Sequence, residues 1–411
     1  MNYSLGNMLS GGGSLNADKL SLDLQFAADK TLTARKGPTP AFTRASTATF
    51  VGSNGLIQSA AINGARFDHD PITLDCKGLL IEESRTNNLV RSEDFGTTWT
   101  QTNISVSSDV AVAPDGNTTA DKIIENTASG IHGVDQSTTF TAIPYTLSFY
   151  AKKDERIWVR AFLSGLSSTW FNVDNGTVGT VASGFTASIV DAGNGWYRCS
   201  ITGTASAGTS TSGVRIATGD GLNTYLGDGT SGIFLWGAQL EQGSFPTSYI
   251  PTTTASVVRS ADVCSITGSD FTGFYNQSDG TMLVNAFTPA NGDRTVVATD
   301  DNTANEMIRL RTEGTNPFFK VTDGGSELVA IDSGTVVANT AFKLVGAYKL
   351  DDFASSINGG AAVTDTSGTI PTVDRIRIGA GQSGNTMCGC ISSLRYYKKR
   401  LADAKLQALT V

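Results

Sequence analysis

Histidine is scarce in this sequence, where His69 and His132 are the only two among 411 residues. Nucleophilic sites of the Ser-His-Asp or Cys-His type need at least one of them, and metal sites built from several histidines are nearly excluded. His69 lies in the turn-rich stretch RFDHDP, which favours a solvated histidine. Histidine-dependent chemistry therefore has little basis in this chain.

Cysteine is also rare, and its pattern excludes the common redox and zinc sites. The five cysteines, an odd and mostly scattered set, are Cys76, Cys199, Cys264, Cys388 and Cys390. The last two are two positions apart, which is neither a C-x-x-C redox motif nor a four-ligand zinc spacing. We therefore expect all five to be reduced and buried as small apolar side chains, as in a protein that folds in a reducing cytoplasm.

Long apolar runs and excess positive charge are missing as well. No stretch contains 18 consecutive apolar residues, so no transmembrane helix and no membrane insertion are predicted. The start of the chain, MNYSLGNMLSGGGSLNADKL, has no basic region followed by an apolar run, so we expect no secretory signal. Charged residues make up only 17% of the chain and the net charge is -8, which gives little electrostatic reason to bind nucleic acid.

The chain is instead rich in glycine, with 45 residues, and in short alternating segments. The segment YTLSFYAKK places Tyr145 and Phe149 on one face, and IWVRAFLSG places Trp158, Arg160 and Phe162 on one face. Turn signals separate such segments throughout, and only LADAKLQAL, near the end, has a convincing helical pattern. The predicted fold is all-β, with two antiparallel β-sandwich domains of the jelly-roll or lectin-like kind after a short extended N-terminal segment.

The same patterns divide the chain into four parts. Residues 1–20 contain the flexible spacer SGGGS and are either disordered or docked on another protein, and docking is favoured. A β-rich segment follows over residues 21–91, and the most regular strands lie in residues 92–262. Residues 263–411 repeat the β pattern. The boundary near residue 262 follows a connector rich in proline and threonine, SYIPTTTAS.

Several motifs in the first two thirds of the chain carry a family resemblance. They are GLLIEESRTNNLVRSEDF, APDGNTTADKIIE, AGNGWYRCSIT and LWGAQLEQGSFPTSYIPTTTASVVRSADV, in this order. They resemble a recurrent β-sandwich module of structural proteins in tailed bacteriophages, and the upstream stretch FTRASTATFVGSNGLIQSAAINGARFDHDP resembles the segment that usually precedes this module. Together these stretches cover roughly residues 20–265. The resemblance implies a jelly roll similar to a carbohydrate-binding module, on a tail fibre, a head fibre or another virion appendage.

A second resemblance covers about residues 270–411. The stretches FKLVGAYKLDDFASSINGGAAV, DRIRIGAG and GCISSLRYYKKRLADAKLQAL resemble a concanavalin-like or laminin-G-like lectin sandwich. That family holds its metal on acidic and asparagine side chains of loops. No ligand set can be assigned in this sequence, so no cofactor is predicted and calcium binding stays open.

A catalytic role of the acidic pair Glu82 and Glu83 is the alternative to a purely structural role for the first motif. The acid and the base of a glycosidase are two carboxyl groups that must face each other across one sugar bond. Neighbouring residues of a strand point to opposite faces of the sheet, so these two cannot do so. A tailspike depolymerase would also usually have a repetitive β-helix, and no short-period repeat is present. We therefore expect a protein that is not an enzyme.

Aromatic and amide side chains provide the candidate glycan site. Sugars bind against aromatic faces, and their hydroxyl groups form hydrogen bonds with Asn, Asp and Arg side chains. Trp196 and Trp236 lie in strongly patterned strands and are predicted to be core residues. The other tryptophans and two polar residues of the loop NVDNG form the candidate set: Trp99, Trp158, Trp170, Asn172 and Asp174. Core packing stays open for each of these three tryptophans.

The resemblances together imply a tail fibre or receptor-binding protein of the virion, assembled in the host cytoplasm and released by lysis. Its partners would be a host-surface glycan and, through the N-terminus, a capsid, portal or tail protein. A homotrimer is implied by the resemblance alone. The alternative is a capsid-attached head fibre with a structural or weakly adhesive role. The residues expected to anchor the chain to the particle are Met1, Asn2, Tyr3, Leu5, Met8 and Leu9.

Overall fold

A computed structural model describes residues 19–165, 168–382 and 384–411 of the chain. The expected anchor residues at positions 1–9 lie outside this range. Contacts between residues divide the described chain into two units. One unit, here called the C-terminal sandwich, contains residues 19–42, 77–82 and 263–411, and the other, the central sandwich, contains residues 43–76 and 83–262. Residues 21–91 are therefore shared between both units.

Strands make up nearly all of the regular structure. The first part of the chain contains β1 (Leu20–Leu24), α1 (Phe26–Asp29), β2 (Ala41–Thr43), β3 (Ala48–Val51), β4 (Ile57–Ala60), β5 (Phe67–His69), β6 (Cys76–Ile81) and β7 (Arg85–Asn87). The middle part contains β8 (Thr100–Thr102), β9 (Ile104–Val112), β10 (Thr118–Glu125), β11 (Ser129–Gly130), β12 (His132–Phe140), β13 (Pro144–Lys153), β14 (Trp158–Phe162), β15 (Ser168–Asn172), β16 (Thr177–Val178), β17 (Phe185–Gly193), β18 (Trp196–Thr204), β19 (Gly208–Ala217), β20 (Tyr225–Leu226), β21 (Gly232–Gln242) and β22 (Val257–Arg259). The last part contains β23 (Val263–Thr267), α2 (Gly268–Phe274), β24 (Asp279–Phe287), β25 (Arg294–Asp300), β26 (Met307–Glu313), β27 (Asn316–Asp323), β28 (Ser326–Asp332), β29 (Ala341–Lys349), β30 (Phe353–Ile357), β31 (Val363–Asp365), β32 (Arg375–Ile378), β33 (Gly389–Tyr397) and α3 (Asp403–Leu409).

The central sandwich is built from two six-stranded sheets. One has the order β17-β18-β13-β21-β10-β9 and the other the order β16-β15-β14-β19-β12-β8. Strand alternation sends one set of side chains from each sheet into a shared core, which includes Leu147 and Phe149 from the first sheet and Val159 and Phe171 from the second. All five tryptophans of the chain lie in this unit.

Asn194 and Gly195 form the tight turn between β17 and β18. Their φ angles are +54° and +80°, so both residues are left-handed. Two-residue hairpins favour this turn because its twist matches the twist of the flanking strands. Glycine meets the second position without the steric penalty that a side chain would add.

The C-terminal sandwich also consists of two packed antiparallel sheets. The first has the order β31-β30-β29-β24-β33-β6, and β1 pairs with β33 beside β6. The second has the order β2-β23-β32-β25-β26-β27-β28. A cluster that contains Leu20, Leu283, Val345 and Leu406 is buried in this unit. The prediction of an all-β protein with two antiparallel β-sandwiches is confirmed.

The helices are few and short. The predicted terminal helix is present as α3, and its Leu406 is fully buried. Two further helices, α1 and α2, are not predicted by the sequence pattern. In α2 the buried residues Phe271 and Phe274 are three positions apart, which places them on one face of the helix. No helix in the described ranges is long and apolar enough to cross a membrane.

Two of the sequence interpretations of single side chains are wrong. The turn-rich sequence favours a solvated His69, but this residue is 3% exposed, and its Nδ1 lies 3.1 Å from the backbone oxygen of Val51. His69 is buried because it belongs to β5 rather than to a turn. Cys76 is half-buried, in contrast to the expected burial of every cysteine. The other four cysteines are buried.

The motif that begins at Gly78 has a structural role that extends beyond a local turn. Asn87 is fully buried, and its Nδ2 donates to the backbone oxygens of Ala238 at 3.1 Å and Ile250 at 2.9 Å. Its Oδ1 accepts from the backbone N–H groups of Leu89 and Leu240 at 3.1 and 3.0 Å. One asparagine thus satisfies four backbone groups within the central sandwich, where an unpaired buried polar group would be costly.

Candidate functional site

The central sandwich brings several of the predicted site residues onto one sheet face. Strands β15, β14 and β19 are consecutive in the sheet with the order β16-β15-β14-β19-β12-β8. Trp158 lies directly opposite Asn172 on β15, and Arg160 lies opposite both Trp170 on β15 and Arg215 on β19. Residues that are directly opposite on antiparallel strands share a face of the sheet. These five side chains therefore belong to one surface.

This surface faces away from the core of the sandwich. The residues that alternate with them along β14 and β15 point to the other side of the sheet, where they are fully buried in the core: Val159, Ala161 and Phe171. We name the opposite side the aromatic–arginine face, and it comprises Trp158, Arg160, Phe162, Ser168, Trp170, Asn172 and Arg215 together with Asp135 on β12. Such a face combines flat apolar rings with hydrogen-bonding groups.

The two tryptophans of the face differ in exposure. Trp170 is only 7% exposed, and its indole N–H donates to the backbone oxygen of Leu222 at 3.1 Å. Trp158 is half-buried, so part of its ring is open to solvent. Gly179 lies close to this ring, because a β-carbon built at that position would approach Trp158 Cζ3 to 2.8 Å. Trp158 is therefore the tryptophan that a ligand can reach directly.

Arg160 is held by aromatic rings and by a hydroxyl group. Its guanidinium carbon lies 5.7 Å from the ring centre of Phe162 and 5.8 Å from that of Trp170, and its Nε donates to Ser168 Oγ. Cation–π contacts of this kind stabilise an exposed guanidinium by about 0.5–1 kcal/mol each. Within the described ranges, no ion pair joins Arg160 to a carboxylate.

Arg215 is more deeply buried than Arg160 and has one acidic partner. Its side chain donates from Nη2 to Asp135 Oδ1 at 2.6 Å, and its guanidinium lies 4.9 Å from the ring centre of Phe162. Burial lowers the pKa of Arg215, against the effect of Asp135. Burial and the positive charge of Arg215 both lower the pKa of Arg160. Of the two guanidinium groups, only that of Arg215 is paired with a carboxylate among the residues that the structure describes.

The remaining predicted site residues have other structural roles. Asn172 Oδ1 accepts from the backbone N–H groups of Asp174 at 2.9 Å and Asn175 at 3.3 Å, so it shapes the turn after β15. The exposed Asp174 pairs with Lys153. Trp99 is 5% exposed and packs 5.0 Å from the ring centre of Phe95 in the core cluster.

The structure therefore joins Trp158, Trp170 and Asn172 on one face, while Trp99 belongs to the core. The prediction that Trp196 and Trp236 are core residues is confirmed, because they are 0% and 1% exposed. Whether the proposed set binds a glycan stays a prediction.

Sequence reasoning missed the two arginines as site residues. The alternation of IWVRAFLSG already places Arg160 and Phe162 beside Trp158, so this part of the signal was present. Arg215 could not be found in the same way, because only the pairing of β19 with β14 brings it opposite Arg160. Asp135 is likewise brought near by the pairing of β12 with β19.

Two clefts lie elsewhere in the molecule. One, of about 470 Å³, belongs to the central sandwich and is lined by Glu83, Ser84, Arg85, Thr86, Asn88, Tyr145, Gln242 and Gly243. The other, of about 420 Å³, belongs to the C-terminal sandwich and is lined by Asn285, Ala341, Phe342, Lys343, Asn358, Ser392, Thr410 and Val411. Neither contains an exposed tryptophan. In the part of the chain that the structure covers, no three His, Cys, Asp or Glu side chains are placed to hold a metal ion.

Comparison with known proteins gives structural likenesses only. No protein-family model and no curated protein matches the chain. The carbohydrate-binding module CBM40 of the Ruminococcus gnavus IT-sialidase, solved with α2,3 sialyllactose, has a TM-score of 0.30 at 17% identity and covers 33% of this chain and 84% of its own. Domain 4 of the arabinanase AbnA from Geobacillus stearothermophilus, solved with arabinotriose, has a TM-score of 0.32 at 12% identity and covers 41% and 84%. The binding domain of botulinum neurotoxin serotype D has a TM-score of 0.28 at 12% identity and covers 36% and 39%.

These TM-scores are too low for the likenesses to carry an argument about this chain. The assignment of the fold rests on the order and register of the strands themselves.

Proposed function

We propose that the chain is a glycan-binding appendage protein of a bacteriophage particle, and that the aromatic–arginine face of the central sandwich is its attachment site. The observation that carries the proposal is the half-buried ring of Trp158 beside Arg160 and Asn172 on one sheet face. An exposed indole ring can pack against the C–H surface of a pyranose, and the neighbouring polar groups can bond its hydroxyls. No catalytic step and no cofactor is part of the proposal.

The phage context of the proposal comes from the sequence motifs alone. They resemble modules of tail fibres and other appendages, which would be displayed on the virion after assembly in the cytoplasm and release by lysis. Residues 1–20 would attach the chain to a capsid, portal or tail protein, and the appendage would be a homotrimer. A reconstruction of the intact virion tests this part, because a chain that is missing from the particle contradicts it.

Binding of the purified full-length chain to an array of bacterial surface glycans tests the site. We expect the wild-type chain to bind at least one glycan and Trp158→Ala to weaken that binding by at least about tenfold, which corresponds to about 1.4 kcal/mol. The matched control is Val190→Ala, because Val190 is 57% exposed on β17 of the opposite sheet.

The control variant should bind as the wild type does. Equal binding by Trp158→Ala and the wild type would move the site away from this face. Absence of binding to every glycan would contradict glycan attachment as the function.

A further inference from the structure

We infer that the aromatic–arginine face selects saccharides that carry an anionic substituent, and that Arg160 and Arg215 receive its oxyanion. This inference rests on the proposed function and adds the chemical class of the ligand. A sugar carboxylate and a sugar sulfate present the same chemistry, which is two or three acceptor oxygens on one negative centre. The planar fork of a guanidinium fits such oxygens in pairs.

Two like charges lie directly opposite each other on this face. Arg160 and Arg215 are register partners on neighbouring strands. Like charges in directly opposite positions destabilise a pair of strands. Asp135 is 2.6 Å from Arg215, but it supplies only one negative charge for the two guanidinium groups. An anion from outside the chain would balance the second positive charge.

The face also contains a buried hydrogen-bond donor that is not used. The side chain of Arg215 is more than nine-tenths buried, at 9% exposure, and its Nη1 has no hydrogen-bond partner in the described structure. Buried donors are normally satisfied, because the loss of water without a replacement partner costs free energy. An oxyanion seated beside Arg160 would give Nη1 an acceptor after a small adjustment of the side chains around it.

Basic residues on a sheet face of the C-terminal sandwich show a different arrangement. There Arg309 lies opposite Lys320, so the like charges are again in register. Glu327, however, lies 3.4 Å from Arg309 and 3.3 Å from Lys320, and Glu313 lies 2.7 Å from Lys320. Glu313 also lies 3.2 Å from Arg311, so the two carboxylates serve three cations, each of which has a carboxylate within 3.4 Å.

On the aromatic–arginine face, by contrast, no ion pair among the described residues gives Arg160 a carboxylate. Asp220 borders the ring of Trp158, but its carboxylate accepts from the backbone N–H and the hydroxyl group of Thr180.

The test uses the full-length chain on an array that contains neutral, carboxylated and sulfated saccharides. We expect binding to anionic members, with affinity that falls as sodium chloride rises from about 50 mM to about 500 mM, because salt screens exposed charges. Arg160→Gln should weaken this binding by at least about tenfold. Arg160→Lys keeps the positive charge but loses the paired donors of the guanidinium, so its affinity should lie between those of the wild type and Arg160→Gln. The matched control is Arg309→Gln on the sheet face of the C-terminal sandwich.

The possible outcomes separate the inference from the proposed function. If neutral and anionic members bind equally well and Trp158→Ala loses this binding, the anion selectivity is overturned and glycan attachment still stands. Anionic binding that Arg160→Gln leaves unchanged would also overturn the inference. Absence of binding to any member would contradict both. A preference for carboxylated over sulfated members, or the reverse, would identify the anionic group. The salt dependence is measured on the wild-type chain alone, so this test stands even if a variant fails to fold.

Discussion

At the scale of single residues, Asp262 provides the sharpest test of buried charge in the central sandwich. Its Oδ1 lies 3.1 Å from Arg44 Nη1 and its Oδ2 lies 2.6 Å from Arg66 Nη2, and all three side chains are fully buried. Removal of one partner from a buried ion pair leaves an uncompensated charge, which costs about 3–5 kcal/mol. We expect Asp262→Asn to lower the free energy of unfolding by about that amount.

Tryptophan fluorescence during chemical denaturation reports the unfolding of the central sandwich, because all five tryptophans lie in it. The matched control is Asp174→Asn, since Asp174 forms an ion pair with Lys153 at the surface. Exposed pairs are worth about 0–1 kcal/mol. Equal destabilisation by the two variants would contradict the role of Asp262.

Asp121 gives a prediction for the dependence of stability on pH. Burial raises the pKa of this carboxyl to about 6, against hydrogen bonds from the backbone N–H groups of Phe95 and Asp109. A carboxyl with a raised pKa stabilises the folded state fully below its ordinary pKa of 3.8, and this contribution is lost as the pH rises through about 6.

We therefore expect the stability of the wild type, relative to Asp121→Asn, to fall between about pH 4 and about pH 7. The decrease should be at most about 3 kcal/mol, since each unit of pKa shift corresponds to about 1.4 kcal/mol. The two N–H groups bond different oxygens of Asp121, and the NH2 group of asparagine replaces one of these oxygens. The lost hydrogen bond is a constant offset that does not depend on pH. Fluorescence-detected denaturation of both proteins across this range measures the difference. A difference that stays constant with pH would contradict the raised pKa.

Sequence reasoning reached part of the candidate site for a clear physical reason. Alternation along a single strand shows which residues share a face, and the pattern of IWVRAFLSG is enough to place Trp158 with Arg160. The partner strands are not encoded locally. Arg215 joins Arg160 only through the ladder between β14 and β19, and Trp99 is buried by packing against Phe95 that no local pattern reveals.

At the scale of elements, the turn between β17 and β18 should depend on Gly195. A side chain at φ +80° is strained, and a left-handed residue other than glycine costs roughly 1–2 kcal/mol. We expect Gly195→Ala to destabilise the central sandwich by about that amount. The space around this position is adequate, because the nearest atom to a built β-carbon is Lys152 Cε at 3.4 Å, so the cost comes from the backbone.

Gly273→Ala in α2 is a control with the opposite expected sign. No atom lies within 4 Å of a β-carbon built there, and Gly273 is not among the glycines with positive φ. Alanine is the better helix former by up to about 1 kcal/mol, so this change should leave the thermal midpoint unchanged or raise it. Thermal unfolding followed by circular dichroism compares the two variants. An unchanged midpoint in Gly195→Ala would show that the turn tolerates a side chain.

Elements were predictable where the apolar pattern was long and regular. The strands with clear alternation, such as β13 and β14, are present, and so is the terminal helix α3. Helix α1 was missed because four residues are too few to display a helical period. Helix α2 is as long as α3, but its sequence GSDFTGF contains two glycines and few apolar residues. In α2 the only helical signal is the spacing of Phe271 and Phe274, and two aromatic residues fit a strand equally well.

At the scale of the whole molecule, early residues complete the C-terminal sandwich. Strand β1 pairs with β33 from Leu20 opposite Tyr397 to Leu24 opposite Leu394, and β6 pairs with the start of β33. Short strands carry no local mark of a partner that lies hundreds of residues away. Residues 21–91 therefore look like one segment in the sequence, although the folded chain divides them between two units.

A fragment of residues 263–411 should consequently fold poorly. It would lack β1 and β6, which together cover one edge of β33, while β24 covers the other. An unpaired edge promotes pairing between molecules, and the loss of the buried Leu20 would open the cluster that contains Leu283 and Val345. We expect the fragment to aggregate or to unfold at a lower temperature than a version in which residues 19–42 are joined to it by a flexible linker. Size-exclusion chromatography and circular dichroism distinguish the two, and a monomeric fragment with the same thermal midpoint as the linked version would show that β33 needs no strand from the beginning of the chain.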